Sequence, residues 1–351
     1  MHRARGRARP LATSGWHRQS GEGPEQYGFP LALTDGKSVF VMFGTGKLAA
    51  FDFSGRQLWT RDLATEYGKF SINWLYGSSP MLYQEKLYVE VIQANPIPPD
   101  YLQAIDDKPN RESYLLCLDT MSGKNLWRHV RATDAISEAQ EAYTTPIPHP
   151  SPDGLEIIVV GGNYVTAHDA RTGVELWRCA GLNDRGERFW RIVPSPVAAA
   201  GMIIACGPKR DPVLGIKAGG RGLVTSTHLT WKFKEFPPDC TTPLFYQNKL
   251  FLLDGDRQMM TCLEPATGEK KWQGNLGVRE IFRASPTGAD GKIYCLGENG
   301  TVIVLAAGDE FRVLATIPMG EAPVRSSIAV AQRELFIRTA KNVYCIGNAP
   351  N

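Results

Sequence analysis

One short unit recurs along this chain, and it restricts the fold to a stack of similar β-sheets. Four segments align: LAAFDFSGRQLW ending at Trp59, LLCLDTMSGKNLW at Trp127, VTAHDARTGVELW at Trp177 and MTCLEPATGEKKW at Trp272. Each carries an apolar run, an acid (Asp52, Asp119, Asp169, Glu264), a glycine (Gly55, Gly123, Gly173, Gly268) and then the tryptophan. Acid and tryptophan stand eight positions apart in three copies and seven in the first. The apolar run predicts a strand. In the turn that follows, the acid is placed to accept hydrogen bonds from backbone amides, and the glycine supplies a positive φ. The stretch ending in tryptophan is the next strand. An indole is too large for the narrow centre of a radial sheet, so it is expected in the wide gap between the outer strands of neighbouring units.

A second recurring piece lies upstream of each hairpin. It has a proline, a polar turn and a short apolar strand, as in PLALTDGKSVFVMFG from Pro30, SPMLYQEKLYVEV, TPLFYQNKLFLLDG from Pro243 and SPTGADGKIYCLGENG. The two pieces together make four strands. Such a unit cannot bury both faces alone, so its neighbours must stack on it. Radial stacking gives an all-β propeller. Seven units begin near Phe29, Ser79, Thr145, Pro194, Thr242, Ser285 and Ser326. Unit four keeps Trp231 without the acid–glycine turn, and residues 217–222 read there as a degenerate hairpin. Unit six has lost its tryptophan, and unit seven ends about three strands in, at ELFIRTAKNVYCIG. The segment TSGWHRQ, with Trp16 in the outer slot, is the expected fourth strand. The reading is therefore a basic tail or closing strand over 1–25, one propeller domain over 26–347 and a short tail at 348–351. A longer precursor has room for an eighth blade.

These strings resemble the pyrroloquinoline-quinone-type repeat, an apolar strand followed by A-x-D-x-x-T-G-x-x-x-W. The resemblance covers residues 30–347. The stretches GTGKLAAFD, SYLLCLD, PSPVAAAG, SPTGADGKIY and RSSIAVA also make the chain similar to uncharacterised bacterial propellers. The resemblance implies a quinoprotein alcohol dehydrogenase-like architecture, a periplasmic or extracellular location and a further N-terminal segment. It does not imply an enzyme, because the fold carries both quinone-dependent dehydrogenases and non-catalytic scaffolds. The dehydrogenases have adjacent cysteines against the quinone plane and Glu, Asn and Asp around calcium. No Cys-Cys pair occurs here and the calcium set maps onto no motif, so no catalytic, cofactor or metal residue is carried over.

Composition narrows the function further. The chain is 43% hydrophobic and 21% charged, which suits one large globular core. Its formal charge is +3, but Arg3, Arg5, Arg7 and Arg9 cluster at the start with no acid among the first ten residues. The remainder is nearly neutral, and nucleic-acid binding is not expected. No apolar run is long enough to span a membrane as a helix. The N-terminus has charge without an apolar stretch and does not read as a signal peptide. Seven cysteines without a CxxC give no zinc or haem signature. Cys117, Cys262 and Cys345 share one slot with Ala50 and Ala167, which reads as a small buried position. His168 reads as a structural histidine in its strand, and His149 as part of a turn-rich loop.

Three insertions carry the functional expectation. Residues 92–113 read as a long, solvated polar loop in which Asp106 and Asp107 are weak calcium candidates. Residues 131–142 suit a short helix. Residues 181–193 bring Arg185, Arg188, Trp190 and Arg191 between units three and four. Insertions of this kind decorate one face of a propeller. Trp74, Tyr76, Tyr101, Trp190 and Arg191 are the candidate ligand surface. The first reading is a monomeric, non-catalytic binding scaffold for a protein or carbohydrate, without a cofactor. The alternatives are a quinone-dependent dehydrogenase with a divergent site, or a hydrolase or lyase built from scattered polar residues.

Overall fold

The computed structural model describes residues 31–99, 101, 111–209 and 211–347. Seven sheets follow one another in chain order, antiparallel except for one short strand added in parallel to the third, and this is the seven-bladed propeller that the repeat predicts. Blade 1 is built from Leu31–Thr34, Ser38–Met42, Lys47–Asp52 and Gln57–Asp62. Blades 2 to 6 occupy 81–130, 147–179, 197–233, 244–275 and 287–318. Blade 7 has three strands among the described residues, from Ala329–Ala331 to Val343–Ile346. The fourth strand expected around Trp16, and the tails at 1–25 and 348–351, lie outside the described residues. Among the described residues no helix is long and apolar enough to cross a membrane.

Within each blade the first strand is innermost and the fourth is on the rim. The middle strands are nearly all buried, as in Lys86–Val91 and Tyr114–Asp119, and their side chains fill the gaps between blades. The rim strand pairs with the third strand in a fixed pattern. Ala50 faces Trp59, Cys117 faces Trp127, Ala167 faces Trp177, Gly215 faces Trp231 and Cys262 faces Trp272. The small slot seen in the sequence is thus the residue across from the indole. In blade 6 the pair is Val304 and Ala315, so the lost tryptophan is matched by a larger partner. A bulge follows the pair in all six of these blades, adding local twist where the rim turns.

Four of these five indoles also reach the next blade. Trp59 Nε1 donates to Thr120 O at 2.8 Å, Trp127 Nε1 to Ala170 O at 3.2 Å, Trp231 Nε1 to Pro265 O at 3.1 Å and Trp272 Nε1 to Gly308 O at 3.1 Å. These carbonyls belong to the acid–glycine turn of the following blade or its equivalent. The turns are organised as expected. Asp169 Oδ1 accepts from the amides of Arg171 and Thr172 at 2.8 and 3.1 Å, and the Gly173 amide donates to Asp169 O. Gly123, Gly173 and Gly268 have φ of 68°, 76° and 72°. A Cβ on Gly123 would lie 2.7 Å from the Trp59 ring, and one on Gly268 2.6 Å from Trp231. Glycine is needed there for the backbone conformation and for the flat approach of the neighbouring indole.

Blade 4 breaks this pattern, and the segment at 217–222 is not the hairpin that the sequence suggests. Residues 218–228 leave the sheet, and Gly222–Leu223 pairs in parallel with the rim strand of blade 3, Glu175–Cys179. Val224 N donates to Arg178 O, and Ala180 N to Thr225 Oγ1, fastening the strap. Trp177, deprived of a following turn, is fully buried and donates to Glu156 of its own blade at 3.2 Å. His149 is likewise not in a loop but in the inner strand Ile147–Ser151. That strand tolerates Pro148 and Pro150 because only its outer side pairs.

A second set of links runs near the axis. Thr145 N donates to Ser195 Oγ (2.9 Å), Ser195 N to Thr242 Oγ1 (3.1 Å), Thr242 N to Ser285 Oγ (2.9 Å) and Ser285 N to Ser327 Oγ (3.0 Å). The first four of these residues precede a proline, which holds the chain extended as it enters the inner strand.

The indole–turn contact predicts coupling between blades. Trp177→Ala should lower stability by about 3–5 kcal/mol, as deletion of a buried aromatic does. Gly173→Ala should cost much less in a Trp127→Ala background than alone, because the clash partner is then absent. Urea melts of the single and double variants test this, and additive effects would contradict the contact.

Candidate functional site

Connections from one blade's rim strand to the next blade's inner strand share a face with the turns between second and third strands. Backbone bonds such as Ala94 N to Ser71 O, Phe282 N to Gly255 O and Val324 N to Glu298 O join the two kinds of segment. All three insertions lie on this connector face. The insertion at 92–113 is not a solvated loop at its described ends. Ile92, Gln93, Ala94, Arg111 and Ser113 are buried, and Tyr101 packs on Ala94 and Ile97. Asp106 and Asp107 fall outside the described residues. At 131–142 the helix is only a 3-10 turn, Ser137–Gln140.

One buried carboxylate ties these segments together. Glu141 is fully buried. Its Oε1 accepts from the Tyr101 hydroxyl, and its Oε2 from the Asn73 amide and the Tyr143 hydroxyl, both at 3.0 Å. Tyr143 Oη also accepts from the Trp74 amide at 3.2 Å. Burial lifts the Glu141 carboxyl to about 7, against the hydrogen bonds that favour its charged form. Glu138 accepts from Trp74 Nε1 at 2.9 Å and fixes that ring while leaving it 53% exposed.

Beneath this level sits Glu90, also fully buried. Its backbone carbonyl accepts from the Tyr76 hydroxyl at 2.8 Å. Thr144 Oγ1 lies 2.6 Å from Glu90 Oε1 and 2.8 Å from the Val160 carbonyl oxygen. A hydroxyl has one proton to give. With Val160 accepting it, a proton on the Glu90 carboxyl completes the contact. Burial pushes Glu90 up to about 8, which agrees with that assignment. The Arg131 guanidinium, buried nearby, donates to Thr166 Oγ1 and to the carbonyls of Gly161 and Tyr164.

The segment at 181–193 runs alongside. Ala139 N donates to Arg188 O, Arg188 Nη2 to Ser137 Oγ, and Tyr143 N to Ile192 O. Phe189 is 65% exposed, and its carbonyl accepts from Lys209 Nζ at 3.0 Å. The Arg185 guanidinium covers the half-buried Trp190 ring at 4.4 Å. Arg191 pairs with Asp239 at 3.4 Å. The five aromatic and basic candidates are thus divided. Trp74 is an exposed ring, Trp190 and Arg191 are half-buried and held by ion contacts, and Tyr76 and Tyr101 are buried supports. The exposed apolar set is Trp74, Ile136 and Phe189. Phe189 and the three glutamates were not singled out by the sequence, and only the acids within 131–142 hinted at them.

His168 is buried between Gly173 O and Thr166 Oγ1, each 3.0 Å from a ring nitrogen, and burial drives it down to about 3. It has a structural place in blade 3. Among the described residues no three His, Cys, Asp or Glu side chains converge as a metal donor set, and Cys117, Cys179, Cys206, Cys262 and Cys295 are buried and unbridged. The described residues therefore present no carboxylate cluster suited to a calcium ion, and the sequence holds no adjacent cysteine pair.

The sequence profile of the family described as outer membrane protein assembly factor BamB matches residues 9–210, more than half of the chain. No curated protein sequence matches. Among solved structures, the chain is similar to BamB from Moraxella catarrhalis, with a TM-score of 0.63 and 16% identity over 88% of this chain and 80% of that one. It is similar to the quinohemoprotein alcohol dehydrogenase from Comamonas testosteroni, with a TM-score of 0.59 and 11% identity over 89% of this chain and 63% of that one, and so spans less than two thirds of that enzyme. A europium-containing methanol dehydrogenase gives a TM-score of 0.59 and 9% identity over 89% and 73% of the two chains. At these identities the likenesses show the fold.

The buried acids carry a pH signature. Glu90 is raised from 4.5 to about 8, so the folded state holds a proton that the unfolded chain releases between those values. Its contribution to stability is complete below about pH 4.5 and is lost as pH rises towards 8. Glu141 acts in the same sense up to about 7. The melting temperature should therefore fall between pH 7 and 8, and Glu90→Gln should flatten that fall. An unchanged slope in the variant would place the proton elsewhere.

Proposed function

The chain belongs to the family of the outer membrane protein assembly factor BamB, a family of quinoprotein-like β-propeller repeats, and from that premise we propose that it is a non-catalytic scaffold whose connector face binds a protein. The observation that carries this reading is the exposed apolar set of Trp74, Ile136 and Phe189 beside Arg185 and Arg188. These side chains stand on segments cross-braced by Glu138, Glu141 and the Arg188 carbonyl. Exposed aromatic rings on a rigid support suit a protein interface, because little side-chain freedom is lost on docking. Family membership supports a periplasmic site of action, next to an outer membrane, as part of the same proposal.

A photo-crosslinking residue at Phe189 tests it in cells, with one at Met121 on the opposite face as control. Discrete adducts from Phe189 alone are expected, and Trp74→Ala should reduce them. Equal adducts from both positions, or none from Phe189, would remove the connector face from the function. Titration with pyrroloquinoline quinone and calcium tests the dehydrogenase alternative. Saturable stabilisation with turnover of alcohols would replace the scaffold reading.

A further inference from the structure

The rim strand of blade 6, Val313–Pro318, differs from the other rim strands in a way that bears on partners. It ends its sheet, and among the described residues no strand pairs with its outer edge. The rim strands of blades 1 to 5 all carry charge: Arg61 and Asp62, Arg128, Glu175 and Arg178, Lys232, and Lys270 and Lys271. Such charges guard a sheet edge against pairing with another chain. The sequence VLATIP has none, and Val313, Leu314 and Ile317 are exposed at 39, 43 and 37%.

The backbone of this edge is oriented for pairing. Met319 N donates inward to Gly300 O. Inward and outward groups alternate along an antiparallel strand. Ile317 therefore bonds inward to Val302, while Thr316 turns its amide and carbonyl outward and Pro318 offers its carbonyl. Ala315 stands where other blades carry tryptophan and packs against the cluster that holds Val304, so no indole covers this stretch of the rim.

The same molecule shows what such an edge accepts. On blade 3 the corresponding position holds Gly222–Leu223, an extended piece of the chain paired in parallel with Trp177 and Arg178. A propeller rim in this protein thus takes a fifth strand. It does so in parallel, whereas two copies related by a twofold axis would pair their edges antiparallel. We propose that the rim of blade 6 is a second docking surface, where an extended, uncharged, apolar segment of another polypeptide adds as a fifth strand. Main-chain hydrogen bonds to Thr316 hold the segment, and Val313, Leu314 and Ile317 select for apolar side chains. This surface lies on the side wall and does not depend on the connector face.

The probe is a short fluorescein-labelled peptide of alternating valine and threonine with one tyrosine, flanked by lysines for solubility, read by fluorescence anisotropy against the full chain. Saturable binding is expected. Ile317→Lys should weaken it by about tenfold or more, since a charge on an edge strand opposes pairing. Thr316→Pro, which removes the outward amide, should do the same, and circular dichroism melts of both variants check the fold. The same peptide with alternate N-methyl amides should not bind, whereas Phe189→Ala should leave binding unchanged. Absence of saturable binding, or binding indifferent to Ile317→Lys and to N-methylation, would overturn the proposal. So would a concentration-dependent dimer abolished by Ile317→Lys, which would assign the edge to a second copy of the chain.

Discussion

The fold depends on one contact repeated around the rim: an indole lying flat on a glycine turn of the next blade, with its N–H on that turn's carbonyl. A β-sheet that twists as it leaves the axis diverges from its neighbour, and the gap is widest at the fourth strand. The tryptophan fills that gap, and the small residue across from it, Ala50, Cys117 or Ala167, gives it room. Glycine at 123, 173 or 268 lets the ring approach. The departures obey the same volume rule. Blade 6 exchanges small and large for Val304 and Ala315, and blade 4 replaces the missing turn with a strap that covers Trp177.

Polar chemistry does a different job near the axis and on the connector face. Hydroxyls at 195, 242, 285 and 327 accept amides from the preceding blade, so that the narrow end is held by hydrogen bonds rather than bulk. Around blades 2 and 3, three glutamates replace this simple link with a braced platform. Glu141 draws together Asn73, Tyr101 and Tyr143, which belong to three separate segments. The desolvation that raises its pKa is the consequence of closing those segments over it. The exposed rings of Trp74 and Phe189 inherit their fixed positions from groups that no partner would touch.

The sequence was legible where physics is local. Asp169, Gly173 and Trp177 lie within one hairpin, so spacing alone reported turn, φ and rim strand, and several copies reported the ring. The places where reading failed are places where distant residues decide. Residues 217–222 look like a weak turn because the strand they lead into, Gly222–Leu223, is only two residues long and finds its partner on the rim of blade 3. Tyr76 and Tyr101 have the composition of a binding surface, but their hydroxyls satisfy Glu90 and Glu141 from other segments. Phe189 sits among Arg185, Arg188 and Arg191, where charge is the stronger local signal. The Ser-Pro and Thr-Pro pairs stand at the entries of blades 2 to 6, but nothing in a single copy indicates that the hydroxyl serves the blade before it.

Both sets of inter-blade links point the same way along the chain, from each blade to the one that follows. During synthesis the indole of Trp59 has no acceptor until the turn at 119–123 has left the ribosome, and the amide of Thr145 waits for Ser195. A nascent propeller of this kind always has two open walls, that of its first blade and that of its newest, and the walls between them are already covered. The growing chain thus exposes a constant pair of interfaces rather than an accumulating set.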